Sequence, residues 1–359
     1  MEKIIIPFLT AIFISLFMTP VAKKIAYKIG AIDIPKDSRR VHKKPIPLLG
    51  GLAIYIATIV SAVIFLPLDK TLVSIIIGGS IIVVSGIIDD SMDLSPKMKL
   101  VFQVVASLVL VLGDVKIDFI TNPFSKENAL LFLKGFSVPL TIFWIVGITN
   151  TLNLIDGLDG LAAGVAMISS LSLVFVAYNA NHLISDSYTS IMIISAIIAG
   201  ACLGFLPFNF NPAKIFMGDT GALFLGFMLS AVAIEGVMKS VATIAIVVPI
   251  IVLGLPIFDT TFAIFRRMLN GKSIMEADKG HLHHKLLQRG LSQRQTVLIL
   301  YLISGVFGVC AVAISKANSR QSVIIAGIVI LFTIFFAVKL GLIDMRKGED
   351  SSNRDNGRK

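Results

Sequence analysis

The sequence is short of charged residues and of cysteine. Only 15% of its 359 residues are charged and 55% are hydrophobic, which is more apolar surface than one soluble core of this length could bury. The two cysteines, Cys202 and Cys310, lie inside apolar runs, so neither a disulfide nor a cysteine-based metal site is indicated. The shortage of charge excludes an ordinary soluble domain and predicts a protein that uses lipid as its solvent.

Apolar runs recur from one end of the chain to the other, each long enough to cross about 30 Å of hydrocarbon as a helix. The sequence therefore predicts an all-α polytopic membrane protein with about eleven transmembrane helices. The first run is followed by no small-residue cleavage site, so we expect it to be retained as a helix. The predicted spans are Ile4–Val21, Leu48–Leu66, Thr71–Ile88, Lys99–Gly113, Val138–Ile148, Leu161–Tyr178, Thr189–Leu206, Ala222–Val237, Val241–Phe258, Val297–Ile314 and Ser322–Leu342.

Basic residues are in excess, with a formal net charge of +10. Nucleic-acid binding is not favoured, because these residues cluster in short loops between spans, as insertion topology requires. The loops after the first and ninth spans are strongly basic, whereas the loop after the second offers only Lys70. This asymmetry predicts an N-terminus outside and a C-terminus in the cytoplasm. Residues 1–343 are then one transmembrane catalytic domain, and residues 344–359 a polar, disordered cytoplasmic tail.

Two neighbouring aspartates, Asp89 and Asp90, close the third predicted span. Carboxylates at the negative end of a helix dipole call for a compensating cation, and their oxygens suit Mg²⁺, with Mn²⁺ as a substitute. The alternative is that both are merely solvated at the membrane interface. In the predicted orientation this pair lies on the cytoplasmic side, as do all the other chemically suggestive segments. We therefore expect a single active site on that side.

A polar segment from Asn150 to Gly160 joins two predicted spans and carries Asn153, Asp156 and Asp159. The two aspartates are three residues apart and can face one site if the second enters the next helix. Helix capping would account for one or two of these residues, but not for two asparagines and two aspartates together. The segment is therefore expected to belong to the active site.

A glycine-containing segment, Asn209 to Gly221, precedes the eighth predicted span. Gly218 and Gly221 let the backbone approach a ligand closely, and the free N–H groups at the start of the helix suit a phosphate. Asp219 would hold a metal ion beside them. An ordinary aspartate or threonine helix cap is the competing interpretation.

Three histidines, His281, His283 and His284, follow the basic pair Arg266 and Arg267 in the last cytoplasmic loop. Three imidazoles could form a zinc site. The surrounding donors are carboxylate oxygens and no cysteine is near, however, so phosphate and hard-metal chemistry fits better. A surface cluster without function is the alternative.

Two further features each allow two interpretations. A basic cluster in the first cytoplasmic loop, which includes His42 and Lys43, either binds phosphate or only fixes the topology. Asp259 lies in the apolar end of the ninth predicted span, about 10 Å along the helix axis from Arg266. An acid at this depth is expected to be functional, although pairing with a neighbouring helix would also account for it.

In this order and spacing, the motifs resemble the polyprenyl-phosphate N-acetylhexosamine-1-phosphate transferases, of the glycosyltransferase family 4 type. These include the enzymes that start teichoic acid, O-antigen and enterobacterial common antigen synthesis and, more distantly, the lipid I synthase of peptidoglycan. The resemblance runs from about the first span to His284 and includes the eleven-helix plan. Its signatures are Asp89-Asp90, Asn150-x-x-Asn153-x-x-Asp156-Gly-x-Asp159-Gly-Leu, Phe216-Met-Gly-Asp219-x-Gly and Gly280-His281-Leu-His283-His284.

The resemblance implies transfer of N-acetylglucosamine 1-phosphate, or a close relative, from a UDP-sugar to undecaprenyl or another polyprenyl phosphate at the plasma membrane. UMP would leave, and Mg²⁺ or Mn²⁺ would be required. No nucleic-acid partner is implied, and a homodimer is one assembly that the sequence leaves open. The implied catalytic residues are Asp89, Asp90, Asp156 and Asp159, the implied metal ligands are Asp219 and Asp156, and the implied substrate-binding residues are Asn153, Lys43, His42, Arg266, His281, His283 and His284.

Competing functions predict other patterns. Lipid I synthases tend to show Pro-Leu before an unbroken histidine triplet, where this chain has His281-Leu-His283-His284. They also tend to show a Thr-Pro-Thr-Met-Gly-Gly run in the first cytoplasmic loop, where this chain has Pro45-Ile-Pro47-Leu-Leu-Gly50-Gly51. UDP-GlcNAc is therefore favoured over UDP-MurNAc-pentapeptide, whose bulk a smaller pocket can reject. A transporter would place its ionisable groups near the bilayer midplane. A CDP-alcohol phosphotransferase would show Ala-Arg where Leu161-Ala-Ala-Gly164 follows here.

Overall fold

The structure is a computed structural model that describes residues 2–34, 45–121, 130–180, 186–238, 246–271, 280–317 and 319–342. His42, Lys43 and the predicted tail at 344–359 lie outside these ranges. Two short hairpins pair β1 (Ile32–Asp33) with β2 (Ile46–Pro47) and β3 (Phe119–Thr121) with β4 (Leu130–Phe132). The α-helices are α1 (Glu2–Ile29), α2 (Gly50–Phe65), α3 (Lys70–Met92), α4 (Pro96–Leu112), α5 (Ser137–Ile155), α6 (Leu161–Ala180), α7 (Asp186–Asn209), α8 (Gly218–Ala233), α9 (Val247–Val252), α10 (Gly254–Leu269), α11 (Leu282–Gln288), α12 (Gln293–Lys316) and α13 (Ser319–Leu340).

The described residues have the architecture of a polytopic membrane protein, as predicted. Eight of their helices are long and apolar enough to cross a membrane: α1, α3, α5, α6, α7, α8, α12 and α13. The second predicted span falls on α2, which has 16 residues, and the fourth on α4, which has 17. These two helices are shorter than the roughly 20 residues of a typical transmembrane helix.

The ninth predicted span, Val241–Phe258, is not one continuous helix where the structure describes it. α9 ends before Leu253, and α10 begins directly after that residue. Pro256, in the first turn of α10, has no N–H to donate to the carbonyl of Val252, which favours a break in the helix here. As a result, Asp259 lies in the second turn of a separate helix.

Some helices continue past the apolar runs that predicted them. α1 extends to Ile29 and so includes lysines that were expected to lie in a loop. α5 extends to Ile155, so that Asn150 and Asn153 are helical rather than part of a connecting segment. Apolar composition marks where a helix is in contact with lipid or core, and a helix can continue into polar surroundings beyond that point.

α8 is the central helix of the bundle. Every residue from Thr220 to its end is buried, which agrees with a helix that carries no charged side chain after Asp219. It packs against α2, α3 and α5. A Cβ atom on Gly51 would lie 2.1 Å from the backbone nitrogen of Gly221, and one on Gly86 would lie 2.4 Å from Cα of Thr220. Glycine is therefore required for α2 and α3 to touch the start of α8 backbone to backbone.

Candidate active site

A cavity of about 1150 Å³, lined by both charged and apolar side chains, opens where the ends of several helices meet. Its walls come from the C-terminal ends of α1, α3, α5 and α7 and from the segments that lead into α2, α6, α8 and α12. The structure thus brings together segments that are far apart in the sequence. The predicted site residues that line the cavity are Asp89, Asp90, Asn153, Asp156, Asp159, Asp219 and His284.

Three carboxylates form a tight cluster in this cavity. One oxygen from each of Asp89, Asp90 and Asp219 lies within 4.8 Å of the others, a spacing at which all three can bind one cation. Asp89 and Asp90 are supplied by the last turns of α3, and Asp219 by the first turn of α8. Asp156, also predicted as a metal ligand, lines the same cavity but lies outside this group.

Lys99, in the first turn of α4, bridges two members of the cluster. Its Nζ atom lies 2.7 Å from Oδ2 of Asp89 and 2.8 Å from Oδ2 of Asp219. A half-buried ammonium between two carboxylates reduces their mutual repulsion. The sequence interpretation did not assign this lysine to the site.

Asp90 caps α8 from another helix. Its carboxylate accepts hydrogen bonds from the backbone N–H of Asp219 (2.9 Å) and of Thr220 (3.1 Å), and from the Thr220 hydroxyl (2.6 Å). Gly218 has a φ of +70°, and a Cβ there would lie 2.4 Å from Oδ2 of Asp90. The expectation that these first N–H groups face a phosphate is therefore wrong, since a carboxylate already satisfies them.

Amide side chains fix the other side of Asp219. The Nδ2 group of Asn153, on α5, donates to Oδ1 of Asp219 at 2.9 Å. One turn earlier on α5, Asn150 donates to Oε1 of Gln103 at 2.6 Å, and Gln103 donates back to Oδ1 of Asn150 at 3.2 Å. Gln103 is on α4, one turn after Lys99. The reciprocal amide pair therefore sets the register in which α4 and α5 deliver Lys99 and Asn153 to the same carboxylate.

Asp156 follows the last residue of α5. Burial, and the negative charges of Asp219, Asp90 and Asp159, raise the pKa of the Asp156 carboxyl to about 8. At neutral pH this carboxyl is mostly protonated and can donate a hydrogen bond, while a nearby cation would favour release of the proton.

Asp159 is occupied by a neighbouring loop. Its Oδ2 atom accepts from the Asn211 side chain at 2.9 Å and from the backbone N–H of Ala213 at 3.0 Å. Asn211 also donates to Gln293 at the start of α12. Asp159 does not enter α6, contrary to the helical arrangement considered from the sequence. Its contacts join three segments of the cavity wall.

The three histidines are placed differently from one another. His284 lines the cavity, whereas His281 and His283 are buried behind it. His281 contacts Asp259, with 2.9 Å between Nδ1 and Oδ2. A Cβ on Gly157 would lie 2.7 Å from Nε2 of His283, so this imidazole packs directly against the loop between the two cavity aspartates. Burial, followed by the neighbouring His284, lowers the pKa of His283 to about 4, so its imidazole is neutral at physiological pH.

Arg266 does not line the cavity. Its Nη1 atom donates to the carbonyl of Leu342 at 2.8 Å, and its guanidinium packs against Gly280. These contacts join the end of α10 to the segment before the histidines and to the end of α13. The resemblance implied that Arg266 binds substrate, but in the structure Arg266 lies outside the cavity lining.

The donor set fits a divalent cation. Three carboxylates face one ammonium, so these four side chains retain an excess of negative charge. The ligand atoms are all oxygens, and hard cations such as Mg²⁺ bind to one or two carboxylates and complete their shell with water or substrate phosphates. Asp219 and Asp89 would hold such an ion through lone pairs that their contacts with Lys99, Asn153 and the N–H of Leu94 leave free. Asp90, whose oxygens accept from the start of α8, also fixes the position of Asp219.

Lys99 and Gln103 are two polar residues beside the acidic cluster that the sequence did not assign to the site, and Lys23 and Lys214, which line the cavity, are two more. Lys99 and Gln103 are four residues apart on a mainly apolar helix and so share one of its faces. A lysine and a glutamine on one face of an apolar helix are a signal for a polar partner across the bundle. Reading Lys99 as the boundary of a span concealed this pattern.

Comparison with known proteins shows which family and which relatives the chain resembles. A family model described as Glycosyl transferase family 4 matches residues 72–237, the part of the chain that contains the acidic cluster and Lys99. A probable undecaprenyl-phosphate N-acetylglucosaminyl 1-phosphate transferase of Bacillus subtilis (strain 168) is 43% identical over 345 residues, 96% of this chain and 94% of the relative. A decaprenyl-phosphate N-acetylglucosaminephosphotransferase of Mycolicibacterium smegmatis is 34% identical, over 96% and 89%. A phospho-N-acetylmuramoyl-pentapeptide-transferase of Halalkalibacterium halodurans is 30% identical, over 86% and 95%.

Proposed function

The chain belongs to glycosyl transferase family 4, and from that premise we propose that it transfers N-acetylglucosamine 1-phosphate, or a close N-acetylhexosamine 1-phosphate, from a UDP-sugar to a polyprenyl phosphate. The observation that carries the proposal is the cluster of Asp89, Asp90 and Asp219, with Lys99 between two of them, in a cavity at the end of a membrane bundle. Such a site suits two phosphorylated substrates, one of which arrives from the lipid phase.

The proposed reaction is a substitution at phosphorus. An oxygen of the lipid phosphate attacks the sugar-bearing phosphorus of the UDP-sugar, the bond from that phosphorus to the bridging oxygen breaks, and UMP leaves. A phosphate monoester has a second pKa near 6 and is largely a dianion at neutral pH, so the acceptor needs little help from a base. The residues of the site then act mainly by positioning and by charge.

We propose Mg²⁺, with Mn²⁺ as a substitute, as the ion held by Asp219 and Asp89. When bound, this ion supplies positive charge that neutralises the diphosphate and stabilises the leaving UMP. Lys99 adds a fixed positive charge beside the same carboxylates, and Asn153 holds Asp219 in place. We propose that His284, which lines the cavity, contacts a substrate phosphate.

The donor sugar is proposed from the relatives. Of the three relatives described above, the two whose names specify N-acetylglucosamine are 43% and 34% identical to this chain, and the one named for the N-acetylmuramoyl-pentapeptide is 30% identical. We therefore place the reaction at the first membrane step of a cell-envelope polysaccharide, with lipid I synthesis as the second candidate. A pocket shaped for a bare N-acetyl sugar can exclude a pentapeptide by steric clash alone.

We further propose eleven passes through the plasma membrane, with α9 and α10 forming one broken pass, the N-terminus outside and the cavity facing the cytoplasm. The positive-inside rule supports this orientation. Single cysteines at Ser38 and Ser273, in a background without Cys202 and Cys310, should resist impermeant thiol reagents added to intact cells. A cysteine at Asn181 should react, and the reverse pattern would refute the orientation.

The activity is tested with purified protein, undecaprenyl phosphate, Mg²⁺ and a choice of donors. UDP-GlcNAc and UDP-MurNAc-pentapeptide are offered at equal concentration, UMP is measured, and the lipid product is identified by mass. We expect a lipid pyrophosphoryl N-acetylhexosamine. A pentapeptide product would correct the sugar and leave the phosphotransferase assignment intact, whereas absence of UMP with any UDP-sugar would refute the assignment.

A further inference from the structure

Asp259 is a buried acid that the proposed reaction does not use. It lies on α10, its side chain is 4% exposed, and it does not line the cavity. Both of its oxygens are engaged by the histidine segment. Oδ2 lies 2.9 Å from Nδ1 of His281, and Oδ1 accepts the backbone N–H of Leu282 at 2.8 Å. An unpaired carboxylate at this depth would be costly, so this pair of contacts is a strong constraint on where the segment lies.

The contact with Leu282 makes Asp259 the cap of α11. His281 occupies the N-cap position of this helix but makes no capping hydrogen bond with its own side chain. Asp259 supplies the missing acceptor from a different helix. The first turn of α11, which carries His283 and His284, is thus held by a residue 22 positions earlier in the chain than His281.

The capped turn is in direct contact with the cavity. The rings of His281 and His283 are parallel, with centroids 5.9 Å apart, and those of His283 and His284 are 4.2 Å apart. His283 packs on Gly157, beside Asp156, and His284 lines the cavity itself. A shift at Asp259 would therefore be transmitted through three packed rings to a wall of the substrate site.

From this geometry we propose that Asp259 is a positioning residue: by fixing the tautomer of His281 and capping α11, it holds His283 and His284 against the cavity wall. A carboxylate accepts hydrogen bonds, so Nδ1 of His281 carries the ring proton. Only the turnover measurements rest on the proposed function, since the histidine spectra need no substrate. It assigns His281 a supporting role, in place of the direct contact with substrate that the family resemblance implied.

Asp259→Asn is the informative substitution because the backbone N–H of Leu282 can only donate. The asparagine oxygen must therefore face Leu282, and its amide NH₂ then faces Nδ1 of His281. This arrangement keeps the size and the helix cap but forces the ring proton to Nε2. The chain has five histidines, so ¹⁵N-histidine spectra of the full-length protein, with His281→Asn for assignment, can report the tautomer directly.

We expect the His281 proton on Nδ1 in the native protein and on Nε2 in Asp259→Asn, with turnover lowered roughly 10- to 100-fold in the variant, the usual effect of losing such a supporting contact. Ser15→Ala is the matched control, since the buried Ser15 hydroxyl bonds to the carbonyl of Ala201 between α1 and α7. It should lower the melting temperature without changing turnover per folded molecule.

His281→Asn separates a positioning role of His281 from direct contact with substrate. His281→Asn can still donate to Asp259 from the position of Nδ1, whereas His281→Ala cannot, so the asparagine variant should retain roughly tenfold more activity. Equal losses in the two variants would overturn the supporting role, as would native turnover in Asp259→Asn or an Nδ1 without a proton in the native protein. The spectra are independent of the reaction, so an enzyme inactive with every UDP-sugar would refute the proposed function while they still decide the tautomer.

Discussion

The Nζ atom of Lys99 lies 2.8 Å from Oδ2 of Asp219, a residue 120 positions further along the chain. The same ammonium lies 2.7 Å from Oδ2 of Asp89. One positive charge thus joins the start of α4 to the end of α3 and the start of α8. The arrangement brings two carboxylates close enough to share a metal ion while limiting their repulsion.

Lys99→Met removes this charge and keeps the length of the side chain. We expect turnover to fall roughly 100-fold or more, because a fixed charge beside the reacting phosphates is lost. Binding of Mn²⁺, measured by electron paramagnetic resonance, should be as tight as in the native protein or tighter, because a competing cation has gone. Lys97→Met, two residues earlier and exposed, is the control and should retain activity. Native turnover in Lys99→Met would show that the lysine is only structural.

Asp89 and Asp90 should differ in their effect on stability. Asp90 caps α8 with three hydrogen bonds, so Asp90→Asn should lower the free energy of unfolding by about 1 to 2 kcal/mol. Asp89→Asn makes the same chemical change as Asp90→Asn, but it should abolish activity with a smaller loss of stability. Thermal unfolding in detergent measures both. Equal melting temperatures for the two variants would contradict the capping role.

The amide pair between Gln103 on α4 and Asn150 on α5 is expected to hold these two helices in register. Asn150→Leu leaves the buried Gln103 amide without its partner, and Gln103→Leu leaves Oδ1 of Asn150 without a donor, although Nδ2 of Asn150 still donates to the carbonyl of Val146. Each variant should therefore lower turnover, and the double variant should be little worse than either one. A double-mutant cycle on stability should give a coupling energy of about 0.5 to 1.5 kcal/mol. Simple additivity of the two losses would mean that the pair does not set the register.

These contacts mark the limit of what the sequence predicted. The apolar runs predicted the helices because lipid exposure and burial both demand apolar side chains, and the order of the motifs predicted that Asp89, Asp90, Asp156 and Asp219 would meet. The break before α10 was missed, since an apolar run gives no sign of a helix interruption beyond the proline itself.

The sequence also did not predict which residues on different helices would contact each other. Nothing in the local sequence pattern predicts that Asp90 caps α8, that Asp159 accepts from the backbone N–H of Ala213, or that Arg266 donates to the carbonyl of Leu342. Each of these contacts joins residues far apart in the chain, and such pairs are set by packing rather than by spacing. The resemblance placed the right residues in one region without showing which of them hold substrate and which hold other side chains.

His283 should make the stability of the protein depend on pH. Its pKa is about 4 in the folded protein, where burial disfavours the charged ring, and about 6.5 in an unfolded chain. Between these pH values the unfolded state binds a proton that the folded state does not. The free energy of unfolding therefore has its full value above about pH 6.5 and falls by up to about 3 kcal/mol as the pH drops towards 4. Melting curves at about pH 5 and about pH 8 test this, and His283→Asn should reduce the difference. An unchanged difference in that variant would assign the effect to other groups.

The central claim, that the cluster around Asp219 holds the metal ion of a sugar-phosphate transfer, is tested most directly by Mg²⁺-dependent release of UMP from UDP-GlcNAc in the presence of undecaprenyl phosphate. The native protein should release UMP only with a divalent cation, and Asp219→Asn should lower the rate roughly 100-fold or more while the melting temperature stays close to native. Asp118→Asn, which alters a carboxylate that is not part of the cavity lining, should behave as the native protein does. Full activity in Asp219→Asn, or in the native protein with excess chelator, would contradict the account.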